Sequence, residues 1–197
     1  MCDLLQISLP VFLRCPIDVT SWYLPDYAID LFSPDGGAIG VIRGQAWKEG
    51  KILGLIPCHT GYSLEFSRND KIVLRAYVNQ SGKNPMDFVD EENNSLGCAE
   101  LTKGRTKVTV YNSGQRVIGT HPSKRPWLSF GYPLGDPYEN LIAMIRPILR
   151  RKGLPFSVNR LHDVEQVTGE GINELDIRIL MSWLYILSMD NSSISPG

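Results

Sequence analysis

Apolar and polar residues alternate along most of the chain, in short runs separated by clusters of turn formers. Three stretches share one rhythm: "DLFSPDGGAIGVI" from Asp30, "DFVDEENNSLGCA" from Asp87 and "TVYNSGQRVIGTH" from Thr109. Phe32, Val89 and Tyr111 each precede a glycine (Gly40, Gly97, Gly119) by the same interval, and an aliphatic residue (Ile39, Leu96, Ile118) stands directly before that glycine. Turn formers lie between. Strand, polar turn and returning strand is the signature of a β-hairpin. A glycine inside the returning strand marks a bulge or a close backbone approach. "YSLEFSRNDKIVLRAYV", from Tyr62, reads as a degenerate fourth copy, with Phe66 and Val73 in the apolar positions and Leu74 in place of the glycine. The pattern predicts strands at 27–32, 38–43, 52–56, 62–67, 71–78, 86–89, 95–101, 105–111 and 115–120, with another at 156–160. Many short strands joined by turns imply a sheet that closes on itself, because an open one would expose edges.

Two segments break the alternation. Asp136-Pro137-Tyr138-Glu139 has the form of a helix start, with Asp as N-cap, Pro in the first turn and Glu behind it. Leu141, Ile142, Ile145, Ile148 and Leu149 then share one helical face, with a kink or end at Pro147 and a stop at Gly153. The second segment is "NELDIRILMSWLYILSMDN". It predicts a helix from Glu174 to about Met189, capped by Asn173. Apolar residues cover almost its whole circumference, leaving Arg178, Ser182 and the Tyr185 hydroxyl as a thin polar seam. Such a helix must be buried. At 1.5 Å per residue it reaches ~22 Å, short of the ~30 Å hydrocarbon core of a bilayer, so burial in protein is the expectation.

The expected fold class is therefore α+β, mostly β: a closed antiparallel β-barrel around a buried hydrophobic C-terminal helix. One domain spans 1–197, with 1–20 as an N-terminal extension or strand, 20–120 as repeated hairpins, 121–153 as a loop plus amphipathic helix, and 174–190 as the central helix. The N-terminus lacks the basic start and unbroken apolar core of a signal peptide. Cysteines 2, 15, 58 and 98 form neither a disulfide scaffold nor a zinc-ligand pattern, which points to a reducing, cytoplasmic setting.

These hairpins, above all "IDLFSPDGGAIGVI" and "MDFVDEENNSLGCAEL", and the closing "LDIRILMSWLYILSMDN" resemble the tubby C-terminal-like superfamily, which includes tubby-like proteins, phospholipid scramblases and LURP-one-related proteins. The resemblance runs over residues 20–190. It implies a barrel wrapped around a hydrophobic C-terminal helix, and a non-enzymatic module that binds phosphoinositide or other anionic phospholipid headgroups, as a cytoplasmic protein peripheral to the membrane. The tubby phosphoinositide-binding pattern and the scramblase calcium segment have no residue-by-residue counterpart here. A protein-interaction or structural barrel without a small ligand is the alternative, and a hydrolase-type enzyme a further one.

Candidate chemistry is sparse. The basic residues Lys103, Arg105, Lys107, Lys124, Arg125, Arg150, Arg151 and Lys152 would suit a phosphorylated headgroup if they converge. Separately, they read as solvated surface cations. Asp87, Asp90, Glu91 and Glu92 read as a solvated hairpin tip, since EF-hand spacing is absent. His59, His121, His162 and Cys58 are conceivable bases or a nucleophile, but no constellation assembles them, so no catalytic residue, cofactor or metal is assigned. "RPWLSFGYPLGDP", with Trp127, Phe130 and Tyr132, reads as a long connection that either folds over the barrel mouth or presents a binding surface. A net charge of −1 gives no general attraction to nucleic acid, and no nucleic-acid partner is expected.

Overall fold

The computed structural model describes residues 2–14, 26–52, 56–79, 86–102, 106–123, 131–148, 154 and 164–192. A short 3-10 turn at Cys2–Leu5 leads into β1 (Gln6–Ser8) and β2 (Val11–Arg14). There follow β3 (Asp26–Phe32), β4 (Ala38–Ile52), β5 (Ile56–Arg68), β6 (Lys71–Asn79), β7 (Met86–Val89) and β8 (Ser95–Leu101). Then come β9 (Lys107–Asn112), β10 (Val117–Pro122), β11 (Tyr132–Gly135), β12 (Leu141–Pro147), β13 (Val164–Gly169), β14 (Glu174–Asp176) and α1 (Ile177–Ser192).

Strands β2 to β13 form a closed barrel in which each strand pairs with its sequence neighbours. The ring shuts where β13 meets β2, with Val164 opposite Arg14 and Val167 opposite Val11. Closure leaves the sheet without the edges that such short strands would otherwise expose. Side chains alternate across the wall: Ile29 and Leu31, Leu64 and Phe66, Leu74, Ala76 and Val78, Val108 and Val110, and Ala143 and Ile145 are all buried. An eight-stranded barrel is filled by its own side chains, whereas sixteen strands or more leave a channel. Twelve strands leave room for a helix. Residues 177–184 of α1 are buried without a break, in the same core cluster as the strand interiors.

The hairpin rhythm is structural, and it has five copies rather than four. In each, one aliphatic residue of the returning strand bulges from the ladder: Ile39, Val73, Leu96, Ile118 and Ile142. All five are partly buried against the core. Four of the turns share one hydrogen-bond pattern. The first residue (Ser33, Asp90, Asn112 or Asp136) accepts from the N–H three residues on and donates to the carbonyl four residues on. The position before the turn's end has positive φ, filled by Gly36, Asn93, Gln115 and Glu139. The Phe66–Val73 copy is one residue shorter and turns on Asn69 and Asp70, both at positive φ, as a type I′ turn requires.

The fifth copy corrects the helix expected at 136–153 as far as residue 148; residues 149–153 lie outside the described residues. Asp136 to Asn140 is a hairpin turn, and Leu141–Pro147 is strand β12, paired with β11 and β13. Asp136 Oδ1 accepts the N–H groups of Tyr138 and Asn140 at 2.8 and 2.9 Å. An N-cap makes almost the same bonds, and proline after aspartate favours a type I turn as much as a first helical turn. Tyr132, expected in a long connection, is a buried residue of β11.

Smaller corrections follow. The strand expected at 52–56 is the end of β4 at Ile52 and the start of β5 at Ile56; residues 53–55, like the strand expected at 156–160, lie outside the described residues. The helix starts at Ile177 rather than Glu174, because Glu174–Asp176 pairs with Gln6–Ser8 as a two-stranded ribbon. Its cap is Asp176, whose Oδ1 accepts the Arg178 N–H at 3.0 Å, not Asn173. Residues 6–8 and 11–14 of the N-terminal extension are strands, with Ile7 and Leu13 fully buried.

Arg178 and Ser182 of the helix's polar seam are consumed inside the protein; the Tyr185 side chain lies outside the described residues. Arg178 Nε and Nη2 bind the two Asp176 oxygens at 2.9 and 2.6 Å, and Nη1 donates to the carbonyl of the bulged Leu96. Both side chains of this pair are about nine-tenths buried, at 9% and 11% exposure. The bidentate geometry and the added carbonyl satisfy an arginine that would otherwise be costly to bury.

Candidate functional site

The barrel wall has one weak joint among the described residues. β10 and β11 are in register at a single pair, Thr120 opposite Gly135. Continuing that register sets Pro122 of β10 against Pro133 of β11. Neither has an N–H, so the ladder stops where it would next need donors. The strands part there over a groove of about 250 Å³, lined by residues of β9, β10, β11 and the β11–β12 turn, including Thr106, Lys107, His121, Pro133, Leu134 and Leu141.

Behind the groove lies a polar cluster joined to the helix. His121 Nδ1 is 2.8 Å from the Pro122 carbonyl, and Nε2 is 2.9 Å from Ser182 Oγ. A carbonyl only accepts, so Nδ1 carries the proton, while the single hydrogen of the Ser182 hydroxyl is shared between Nε2 and the Ile179 carbonyl, 2.8 Å away. Tyr132 also donates its hydroxyl to the Pro122 carbonyl. One carbonyl freed by the proline pair thus takes two side-chain donors. The rings of His121, Tyr132 and Trp183 pack in sequence, with centroids 5.9 and 5.8 Å apart and tilted planes. Trp183 Nε1 is buried with no hydrogen-bond partner among the described residues.

Burial holds the His121 imidazole neutral, lowering its pKa from 6.5 to about 4, with the Pro122 carbonyl acting weakly in the other direction. The folded state therefore binds fewer protons than the unfolded chain between those values. The stabilisation is complete above pH 6.5 and is lost as pH falls toward 4, by roughly 3 kcal/mol. Urea unfolding across that window is expected to show this slope, and His121→Gln is expected to flatten it. An equal slope in the variant would assign the loss to other groups.

Ser182 and His121 are each 2% exposed. Their contact resembles half of a hydrolase site, but a nucleophile buried between helix and wall has no path to a substrate. Cys98 is buried, and its thiol is pushed up by burial and by the Glu100 and Asp87 charges, which leaves it unreactive. Among the described residues, no group of His, Cys, Asp and Glu could hold a metal ion. Asp90 anchors its own hairpin tip through the N–H groups of Glu92 and Asn94.

Of the expected headgroup ligands, only Lys107 is described. It stands at the mouth of the groove, bonded to Glu139 of the β11–β12 turn. Lys103, Arg105, Lys124, Arg125, Arg150, Arg151 and Lys152 lie outside the described residues, as does His162. The side chains of Cys58 and His59, both in β5, also lie outside the description. Sequence reasoning placed Tyr132 in a long connection and passed over the proline pair. The signal for the pair was the presence of Pro122 and Pro133 in flanking strands, which becomes visible only once β11 is recognised as a strand. Among the described residues, no helix is long and apolar enough to cross a membrane. No protein-family model matches the chain, and comparison with the curated proteins and with the solved structures finds no match.

Proposed function

We propose that this chain is a non-enzymatic binding barrel of the tubby-like kind, and that it recognises the phosphorylated headgroups of anionic phospholipids at a membrane surface. The carrying observation is the strand order. β8 to β13 are consecutive around the ring, and the ends Leu101, Lys107, Pro122, Tyr132, Pro147 and Val164 belong to the rim opposite the hairpin turns. The three chain segments that leave from these ends contain Lys103 and Arg105, Lys124 and Arg125, and Arg150, Arg151 and Lys152. The turn rim carries Asp35, Asp70, Asp90, Glu91, Glu92, Asp136 and Glu170, with Arg68, Lys71 and Arg116 beside them.

On this reading a net charge near zero conceals a dipole, with the three basic segments toward one rim. Such a dipole turns one end of the barrel toward a negative surface. Each basic residue near an anionic leaflet contributes about 1 kcal/mol, so a cluster of this size suffices for reversible attachment without an anchor. The twelve-stranded closure around a C-terminal helix supports the family reading, because that is the architecture the hairpin resemblance implies.

Vesicle flotation tests the proposal. The protein is expected to float with phosphatidylcholine vesicles that contain phosphatidylinositol bisphosphate or phosphatidylserine, and to stay behind with phosphatidylcholine alone. Changing Arg150, Arg151 and Lys152 to Glu is expected to weaken binding roughly 100-fold or more. Equal flotation with neutral vesicles, or binding untouched by the triple reversal, would overturn it.

A further inference from the structure

We propose that the groove between β10 and β11 is a binding site for a small carboxylate with an apolar body, and that Glu139 occupies its anion position in the unliganded protein. The site is in the wall of the barrel and is independent of the membrane reading.

Its shape comes from the proline pair, which parts two strands that would otherwise zip together. A volume of about 250 Å³ is just below the ~300–1,000 Å³ of pockets that hold drug-sized ligands, so the occupant is small. Pro122, Pro133, Leu134 and Leu141 give the groove apolar walls, and Leu141 is 44% exposed although it is a large apolar residue. His121, held neutral, adds no charge to the floor.

The charge at the mouth selects the head of the ligand. Lys107 is 32% exposed and is met by Glu139, which is 64% exposed and reaches it from the solvent side. Glu139 also sits at φ 68°, a left-handed position filled in the sister hairpins by Gly36, Asn93 and Gln115. Of the four residues at this position, Glu139 is the one whose side chain carries a charge, and that charge is directed at Lys107. A free carboxylate entering from solvent would find the same lysine with the same chemistry. One lysine, without an arginine fork and with prolines where backbone N–H donors would stand, suits a single negative charge rather than a phosphate.

The test uses the full chain, with octanoate as probe and 1-octanol as its neutral match, followed through the methyl and imidazole NMR signals of Leu134, Leu141 and His121. Octanoate is expected to shift all three and to bind more tightly than octanol. Glu139→Gln removes the internal competitor and is expected to tighten octanoate binding roughly fivefold, the scale of a surface ion pair. Lys107→Met is expected to abolish the preference for octanoate over octanol. Shifts confined to other residues, equal binding of the two probes, or a Glu139→Gln protein that binds octanoate no better would each overturn the proposal. Should either variant fail to fold, the comparison of octanoate with octanol on the unchanged chain decides it alone.

Discussion

A chain that stops after Asp176 is expected not to fold. Ile177, Ile179, Leu180, Met181, Trp183 and Leu184 are all at most 2% exposed and fill the barrel from within. At ~1.5–3 kcal/mol per large side chain, their burial contributes on the order of 10 kcal/mol. That equals the ~5–15 kcal/mol by which a whole domain is stable. Removing the helix also strips cover from Phe66, Phe88, Leu134 and the other inward side chains of the wall. The truncated protein should show no cooperative melt and no near-ultraviolet circular dichroism, and should elute as aggregate. Trp183→Ala is the graded form of the same experiment. It keeps the helix but opens a large hole, and is expected to cost ~3–5 kcal/mol by urea unfolding. A monomeric truncated chain with a sharp thermal transition would mean that the wall closes without its core.

Why the helix was legible and β12 was not is a matter of period and length. From Ile177 to Leu184 the chain holds six large apolar residues on every side of a turn, which a one-sided strand cannot accommodate. Leu141–Pro147 is shorter and more ambiguous. Ala143 and Ile145 face inward on a strand, whereas Leu141, Ile142 and Ile145 also line up on a helix. The decisive misdirection was Asp136-Pro137, where one carboxylate caps either structure with nearly the same N–H groups. The rhythm itself was present: Ile142 precedes Ala143 as Ile118 precedes Gly119. The fifth copy was hidden because Gly135 stands where Phe32, Val89 and Tyr111 stand in the others, and alanine replaces the glycine.

The candidate groove was legible only in pieces. Lys107 stood out by charge, and Ser182 and Arg178 stood out as a seam on an apolar helix. Their partners are distant in sequence: His121 for Ser182, and the Leu96 carbonyl for Arg178. No local pattern announces a contact across so many residues, and His121 looked like any histidine in a returning strand.

Gly97→Ala is expected to destabilise the protein by about 4 kcal/mol, far more than the same change at Gly119. Both are the glycine of the hairpin repeat, and the difference lies in what a methyl group would meet. At Gly97 it would stand 2.0 Å from the Tyr111 carbonyl oxygen and 2.9 Å from Asn112 backbone atoms, in a residue with φ of 129°. Those atoms belong to the β8–β9 ladder, where Gly97 pairs with Asn112 and Cys98 with Tyr111. Relief therefore requires parting two strands of the wall, next to the bulge whose Leu96 carbonyl holds Arg178. At Gly119 the methyl would meet the tip of Ile179, Cδ1 at 2.4 Å, with the nearest backbone atom at 3.2 Å and no unusual φ. A side-chain tip can rotate away, so this variant loses only the close seat of the helix against β10, at ~1–3 kcal/mol. Urea unfolding of the two variants side by side checks the order. Equal losses would mean that the glycine at 97 serves the helix rather than the ladder, and that the repeat has one cause instead of two.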